Sequence, residues 1–308
     1  MKKFVNYLLF IGFILVLFGV CLYKKDDIQL FLKNIFNSNY KDVNIDKTNE
    51  YYRNYDFLFV QNTDNFIPNN KQELLNVYYT VINSGVESFT FYCGDEYKSC
   101  IMDVQSLANN QSTLSDINNY VHPFNSFSNI ETSYDTLGKI TINITKNYSD
   151  EDISLINNKV NELYLQLVNE NDSLYNNILR VHDYIVNSVK YDSLRSDQGV
   201  INYKSDIAYG PLFEGYAICG GYTDLMQLFL EKMNVKSFRV SSDQHVWNAL
   251  YYNNRWVNLD LTWDDPVISD GSEALEHNFF LIDTSKLQSI EKTEHYFDTN
   301  DYPELKET

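Results

Sequence analysis

Proline and glycine are scarce in this chain of 308 residues, at five and 11 respectively. That scarcity excludes collagen-like, Pro-rich and Gly-rich low-complexity organisation. Cysteine is limited to four residues, too few for a disulfide-built scaffold at this length. Basic residues are short as well: Lys+Arg 24 face Asp+Glu 42, a formal net charge of -18. A polyanion must meet a basic surface, so this balance argues against a nucleic-acid partner. No Gly-rich phosphate loop and no zinc-type pair occurs, and neither a metal nor a cofactor is expected. What the chain does have is apolar and aromatic mass, 44% hydrophobic and 15% aromatic, with 25 tyrosines and 19 phenylalanines. That is ample for a buried core, in one large domain or two ordinary ones.

The N-terminus carries the first specific signal. Lys2 and Lys3 precede an apolar run from Phe4 to Tyr23, broken only by Asn6 and by glycines. About 20 residues at 1.5 Å each span the roughly 30 Å hydrocarbon layer. No small-x-small exit follows, and Phe18-Gly19-Val20 is a poor lead into a lipidated Cys21. Residues 1–25 therefore read as a retained signal anchor. The short basic start ahead of the whole polar mass places the rest outside the cytoplasm, as a single-pass cell-membrane protein.

Residues 26–50 read as a stalk. Residues 51–148 read as a smaller α+β segment built mainly of short strands, among them Ser88–Tyr92 and Lys139–Ile144. Cys93 and Cys100 suggest a local disulfide in that oxidising setting, with reduced thiols or a metal pair as alternatives. Ser149, followed by three acids and then Ile153, Ile156, Val160, Leu163 and Leu167, starts a helix and a second domain, 149–308. Another helix follows from Leu174. Nothing in the sequence sets an oligomeric state.

The chemistry gathers further on. Gly210, Pro211 and Gly215 mark a loop, and an apolar helical run to Met233 then begins at Cys219. A thiol at a helix N-terminus meets the positive end of the macrodipole, which favours a nucleophilic thiolate. Gly220 and Gly221 leave bare backbone beside it for a substrate carbonyl and its oxyanion. Downstream, Asn253-Asn254 is a two-residue turn between His245–Tyr252 and Arg255–Asp260. In that register Trp247 faces Asp260, and His245 becomes the diagonal neighbour of Asp260 on one sheet face, whereas a loop one residue earlier would put His245 and Asp260 directly opposite. An Nδ1–H to carboxylate bond fits the separation. Cys219 is then the expected nucleophile, His245 the general base and acid, and Asp260 the group fixing its tautomer. Asp264 and Asp265 lie past the strand end and fit the parity less well. His182 reads as a satisfied structural residue, and His122, His277 and His295 show no metal spacing.

Gly215-Tyr-Ala-Ile-Cys219-Gly-Gly-Tyr-Thr-Asp, His245-Val-Trp-Asn and Asn258-Leu-Asp260-Leu-Thr-Trp-Asp-Asp-Pro266 resemble the three signature blocks of the transglutaminase-like superfamily. His182-Asp183-Tyr184-Ile185-Val186 with Lys190-Tyr191-Asp192 resembles the helix that precedes the Cys block in bacterial members. The resemblance covers about residues 172–285, and residues 51–170 look like the lead segment of membrane-anchored bacterial members. It implies an α+β, papain-like core in which a Cys-bearing helix packs on an antiparallel sheet bearing His and Asp. It implies cysteine-dependent acyl transfer on protein or peptide amides, without a cofactor: cross-linking, deamidation or proteolysis. Gly220, Tyr216 and Trp247 are the residues it suggests for substrate or oxyanion contact. A non-catalytic binding module at the cell surface, or a cell-wall peptidase of another architecture, are the alternatives. The expected partner is a protein or peptide, including one of the cell envelope.

Overall fold

The computed structural model describes residues 23–25, 27–28, 43–136, 138–266 and 275–306. Most of the anchor read over 1–25 and most of the stalk therefore lie outside the described residues. Among the described residues no helix is long and apolar enough to cross a membrane. The last part of the expected stalk belongs to the folded body: Val43 and Ile45 pack on the core, and Asn49 donates its N–H to the Ser84 carbonyl at 3.0 Å.

Residues 51–148 are less strand-rich than expected. They contain helices α1 (Lys71–Ser84), α2 (Cys100–Asn109) and α3 (Ser112–Asn119). Strands β1 (Ser88–Tyr92), β2 (Phe127–Tyr134) and β3 (Lys139–Lys146) form an antiparallel sheet ordered β1-β3-β2. The α1 interior, Val-Tyr-Tyr-Thr-Val-Ile, favours strands locally. Two things override that preference. Asn70 caps the first turn by accepting the Glu73 N–H at 3.0 Å. Every residue from Val77 to Ser84 is also buried, so packing on all sides rewards the helix. Cys93 and Cys100 are joined by a disulfide that ties the end of β1 to the start of α2.

Ser149 and Ser173 cap helices α4 (Asp150–Leu167) and α5 (Leu174–Ser188) through their side chains. Next come β4 (Lys190–Tyr191), α6 (Ser193–Gln198) and β5 (Tyr216–Ala217), with β4 and β5 paired in parallel. The expected loop at 210–215 is a π-helical turn, Gly210–Glu214, closed by Gly215 in the left-handed region at φ 74°. Then follow α7 (Cys219–Lys232), the antiparallel sheet β6 (Ser237–Ser241), β7 (Val246–Tyr252) and β8 (Arg255–Leu259), and α8 (Thr284–Ile290).

The β6-β7-β8 sheet is buried on both faces. Leu250, Val257 and Leu259 pack with Ile156 of α4, Ile178 of α5 and Leu225 of α7. Phe238, Val240, Trp247 and Ala249 pack instead into the core of the N-terminal segment, with Phe297, Tyr302 and Leu305 of the C-terminus. Residue 149 thus separates two sequence patterns, while both cores run across it, the second through Phe124 and Tyr148.

Candidate active site

The hairpin turn determines where the imidazole and the carboxylate meet. Asn253 and Asn254 both take positive φ, 49° and 62°, as a two-residue loop requires. Tyr252 therefore pairs with Arg255 and Asn248 with Leu259. One step further, Trp247 and Asp260 are opposite, and His245 is diagonal to Asp260 on the same face. His245 Nε2 lies 2.6 Å from Asp260 Oδ2. The expected Nδ1 contact is therefore corrected. Nε2, the outer nitrogen of the ring, reaches the diagonal carboxylate, and Nδ1 takes no part in that bond. The ring stacks on Trp247 with centroids 5.7 Å apart.

Cys219 opens α7, is partly exposed and is a free thiol. Its sulfur is close enough to His245 to help raise the imidazole. Several ties hold this helix at that distance. Thr223 Oγ1 donates to the Val246 carbonyl, next to His245, at 3.0 Å. Asn248 Nδ2 donates to the Thr223 carbonyl and to Gln227 Oε1, both at 3.1 Å. Buried Asp224 accepts from Arg239 of β6 at 2.9 Å and from the Tyr148 hydroxyl at 2.6 Å.

The two glycines after Cys219 answer to packing. A Cβ on Gly220 would stand 2.6 Å from the Asp206 carbonyl oxygen, and one on Gly221 2.4 Å from that of Ser205. Their bare Cα atoms thus face the 205–206 backbone, which corrects the reading that they lie open for substrate. That segment is held in place by Ile218, whose N–H donates to the Ser205 carbonyl at 2.8 Å. Ser205 Oγ in turn donates to Asp192 at 2.7 Å. Trp247 is fully buried, with its Nε1–H on Asn258 Oδ1 at 2.9 Å, so it supports His245 from below and offers no surface to substrate. Tyr216 stacks on Tyr203 at 4.2 Å between centroids. Tyr191, of the Lys190-Tyr191-Asp192 stretch, has its hydroxyl raised by burial, with nearby Cys219 adding to this against a lowering hydrogen bond to Ser196.

Burial opposes a charge on His245, but the Asp260 carboxylate and the Cys219 sulfur outweigh it and push the imidazole up to about 10. Burial also opposes the charge on Asp260. His245 and then His295 overcome it and hold the carboxylate far below its ordinary range.

His295 is the residue sequence reasoning missed. It is fully buried, and its Nε2 lies 2.9 Å from the same Asp260 Oδ2. Its only local signal is Glu291 four residues earlier, whose Oε2 lies 3.2 Å from His295 Nδ1. Among the described residues, two sets of side chains have the donor types of a cation site: His245, Asp260 and His295, and His182, Asp183 and His277. Linear spacing predicted neither grouping. In the second set, His182 Nδ1 and His277 Nε2 lie 2.9 and 2.8 Å from Asp183 Oδ1. Buried His182 also meets Asp264 through Nε2 at 3.2 Å. Asp264 is thus engaged with His182, and Asp260 is the carboxylate that contacts His245.

A cysteine at a helix start, facing an imidazole held from behind by a strand-end carboxylate, is the layout of papain-like thiol folds. Residues 161–261 match the family model of the transglutaminase-like superfamily, and this part of the chain is a transglutaminase-like domain. Among solved structures, one described as a TGase is 13% identical with a TM-score of 0.32, over 44% of this chain and 44% of that one. Another, described as a proposed cysteine protease from Cytophaga hutchinsonii, is 14% identical with a TM-score of 0.29, over 48% of this chain and 65% of that one. The chain spans less than two thirds of either structure. No curated protein sequence matches it.

Proposed function

We propose that the protein is a cysteine-dependent acyltransferase or hydrolase acting on protein or peptide amides through a thioester at Cys219. The observation that carries this reading is a free thiol at the start of α7 beside His245, which is itself bonded to Asp260 where α7 meets the β7–β8 hairpin. The Cys219 sulfur attacks the amide carbonyl carbon, and the C=O electron pair moves onto oxygen. Collapse of that intermediate expels the amine, which takes a proton from Nδ1 of His245. Water or a second amine then gives its proton to His245 as it attacks the thioester and releases the thiolate. Asp260 holds the proton on Nε2 throughout, so Nδ1 is the nitrogen that exchanges.

The apolar N-terminal run would anchor the domain, and the Cys93–Cys100 disulfide fits an extracytoplasmic setting. The net charge of -18 would draw in a cationic, lysine-bearing protein or peptide of the cell envelope. The test incubates the full chain with glutamine-bearing, lysine-bearing and wall-derived peptides and reads product masses. An isopeptide product assigns cross-linking, a mass gain of one dalton deamidation, and fragments proteolysis. Folded protein whose Cys219 resists iodoacetamide near neutral pH would leave a binding module in its place.

A further inference from the structure

The Asp260 carboxylate serves two histidines. Oδ1 accepts the backbone N–H groups of Thr262 at 2.9 Å and Trp263 at 3.4 Å. Oδ2 takes both His245 Nε2 at 2.6 Å and His295 Nε2 at 2.9 Å. An ionised carboxylate only accepts, so each ring must point an N–H at it. His295 is itself oriented on its far side, where Nδ1 meets Glu291 Oε2 at 3.2 Å. Glu291 also accepts the backbone N–H groups of Thr293, Glu294 and His295, which lock the loop that delivers the ring.

The ring is packed as tightly as it is bonded. It stacks on Phe279 with centroids 5.3 Å apart and 15° between planes. Trp247 and Trp263 close its other sides at 4.9 and 5.6 Å. Among the described residues the ionisable groups facing it are Asp260, Glu291 and His245, whose ring lies edge-on at 5.3 Å. A polar ring fully enclosed by aromatics and aimed at the carboxylate behind His245 is costly to bury unless its bonds matter.

We propose that His295 is a positioning residue: through Asp260 it sets how strongly His245 is held, extending the line to Cys219–His245–Asp260–His295–Glu291. This deepens the reading of Cys219 and His245 given above and rests on it. Because Oδ2 divides its charge between two N–H donors, removing one concentrates that charge on His245 and makes it release its proton less readily.

The test follows Cys219 alkylation by iodoacetamide against pH in the full chain, for the unaltered protein, His295→Phe and His295→Gln. Phenylalanine keeps the ring volume and the stacking on Phe279 but has no N–H. Glutamine can place an amide N–H where Nε2 stands. The expected result is an alkaline limb moved upward by about half a pH unit or more in His295→Phe. Glutamine should restore the limb, and His295→Phe should move nothing further in an Asp260→Ala background. Equal limbs in all three proteins, or an equal displacement in both backgrounds, would reduce His295 to packing and overturn the proposal. If His295→Phe does not fold, the unaltered protein decides through nitrogen-15 spectra of its histidines. Ring N–H signals of both His245 and His295 should then shift when Cys219 is alkylated, and a His295 signal that stays put refutes the coupling. Absence of alkylation in the folded, reduced, unaltered protein is a separate outcome: it sinks the thiol chemistry, while the histidine spectra still report on His295.

Discussion

Replacing Asp260 by asparagine should disable the site through a proton on the wrong nitrogen, with the backbone left where it is. Oδ1 receives two backbone N–H groups, from Thr262 and Trp263. An asparagine has one carbonyl oxygen to offer, and those fixed donors will claim it. The amide NH2 must then occupy the Oδ2 position, facing two ring nitrogens that now stand 2.6 and 2.9 Å away. A donor opposite a donor is untenable in a site this buried, so Nε2 of His245 must become an acceptor and its proton must move to Nδ1. That nitrogen would then carry a proton in the neutral ring and could not take one from an attacking water or amine. Two routes give the size of the effect. In the unaltered protein burial works against the imidazolium, yet Asp260 and Cys219 raise it to about 10. Against an ordinary value near 6.5, that corresponds to roughly 5 kcal/mol in favour of the charged ring. The same acid-to-amide swap in a serine-protease triad, which also enforces the wrong tautomer, costs about 10⁴ in turnover, again roughly 5 kcal/mol. The assay is the second-order rate of iodoacetamide alkylation from pH 5 to 10, paired with turnover once a peptide substrate is found. A fall of about 10³-fold or more in turnover, with circular dichroism unchanged, is expected. An alkylation profile and turnover that match the unaltered protein would refute the tautomer argument and the role of Asp260 together.

Three further outcomes follow from the same contacts. His245 is raised above its unfolded value, so its contribution to stability is fully present below about pH 6.5 and is lost as pH rises through about 10. Asp260 is depressed, so its contribution is present above about pH 4 and is lost as pH falls toward its folded value. Calorimetric melting temperatures should therefore decline on both sides of a mildly acidic optimum, and Asp260→Asn should flatten the alkaline decline; an unchanged alkaline slope in that variant contradicts the assignment. Gly221→Ala drives a Cβ to within 2.4 Å of the Ser205 carbonyl oxygen, which should cost about 1–3 kcal/mol in urea unfolding. No measurable loss would show that the 205–206 segment is free to withdraw. Replacing Cys93 and Cys100 together by serine opens a crosslink between residues seven apart. Loop entropy then predicts a loss of about 2.5 kcal/mol, read by urea unfolding, while the rate of Cys219 alkylation stays the same; a matching loss of thiol reactivity would mean that the two regions are coupled.

The contrast between His245 and His295 shows where sequence stops informing about this site. His245 and Asp260 are 15 residues apart on one hairpin, and a single local event, positive φ at Asn253 and Asn254, dictates their register. Once the turn is read, the parity of side chains along two strands does the rest. Cys219 was legible for a similar reason, since an apolar run has to begin somewhere and the residue that begins it sits at the helix start. Where local preference and tertiary packing disagree, sequence informs less: the Val-Tyr-Tyr-Thr-Val-Ile run of α1 has strand-forming residues, yet burial on every side makes it a helix. His295 lies beyond any local rule. It follows the short helix α8 in a polar stretch, and it reaches Asp260 across 35 residues of chain because Phe279, Trp247 and Trp263 leave a ring-sized space behind the carboxylate. Those three aromatics come from different stretches of chain, so the space exists only after the sheet and its C-terminal cover have come together. A carboxylate holding an imidazole still has lone pairs to satisfy, and a buried one has no water to satisfy them. The need for a second donor on Asp260 was therefore foreseeable from chemistry, although which of the remaining histidines would supply it was not.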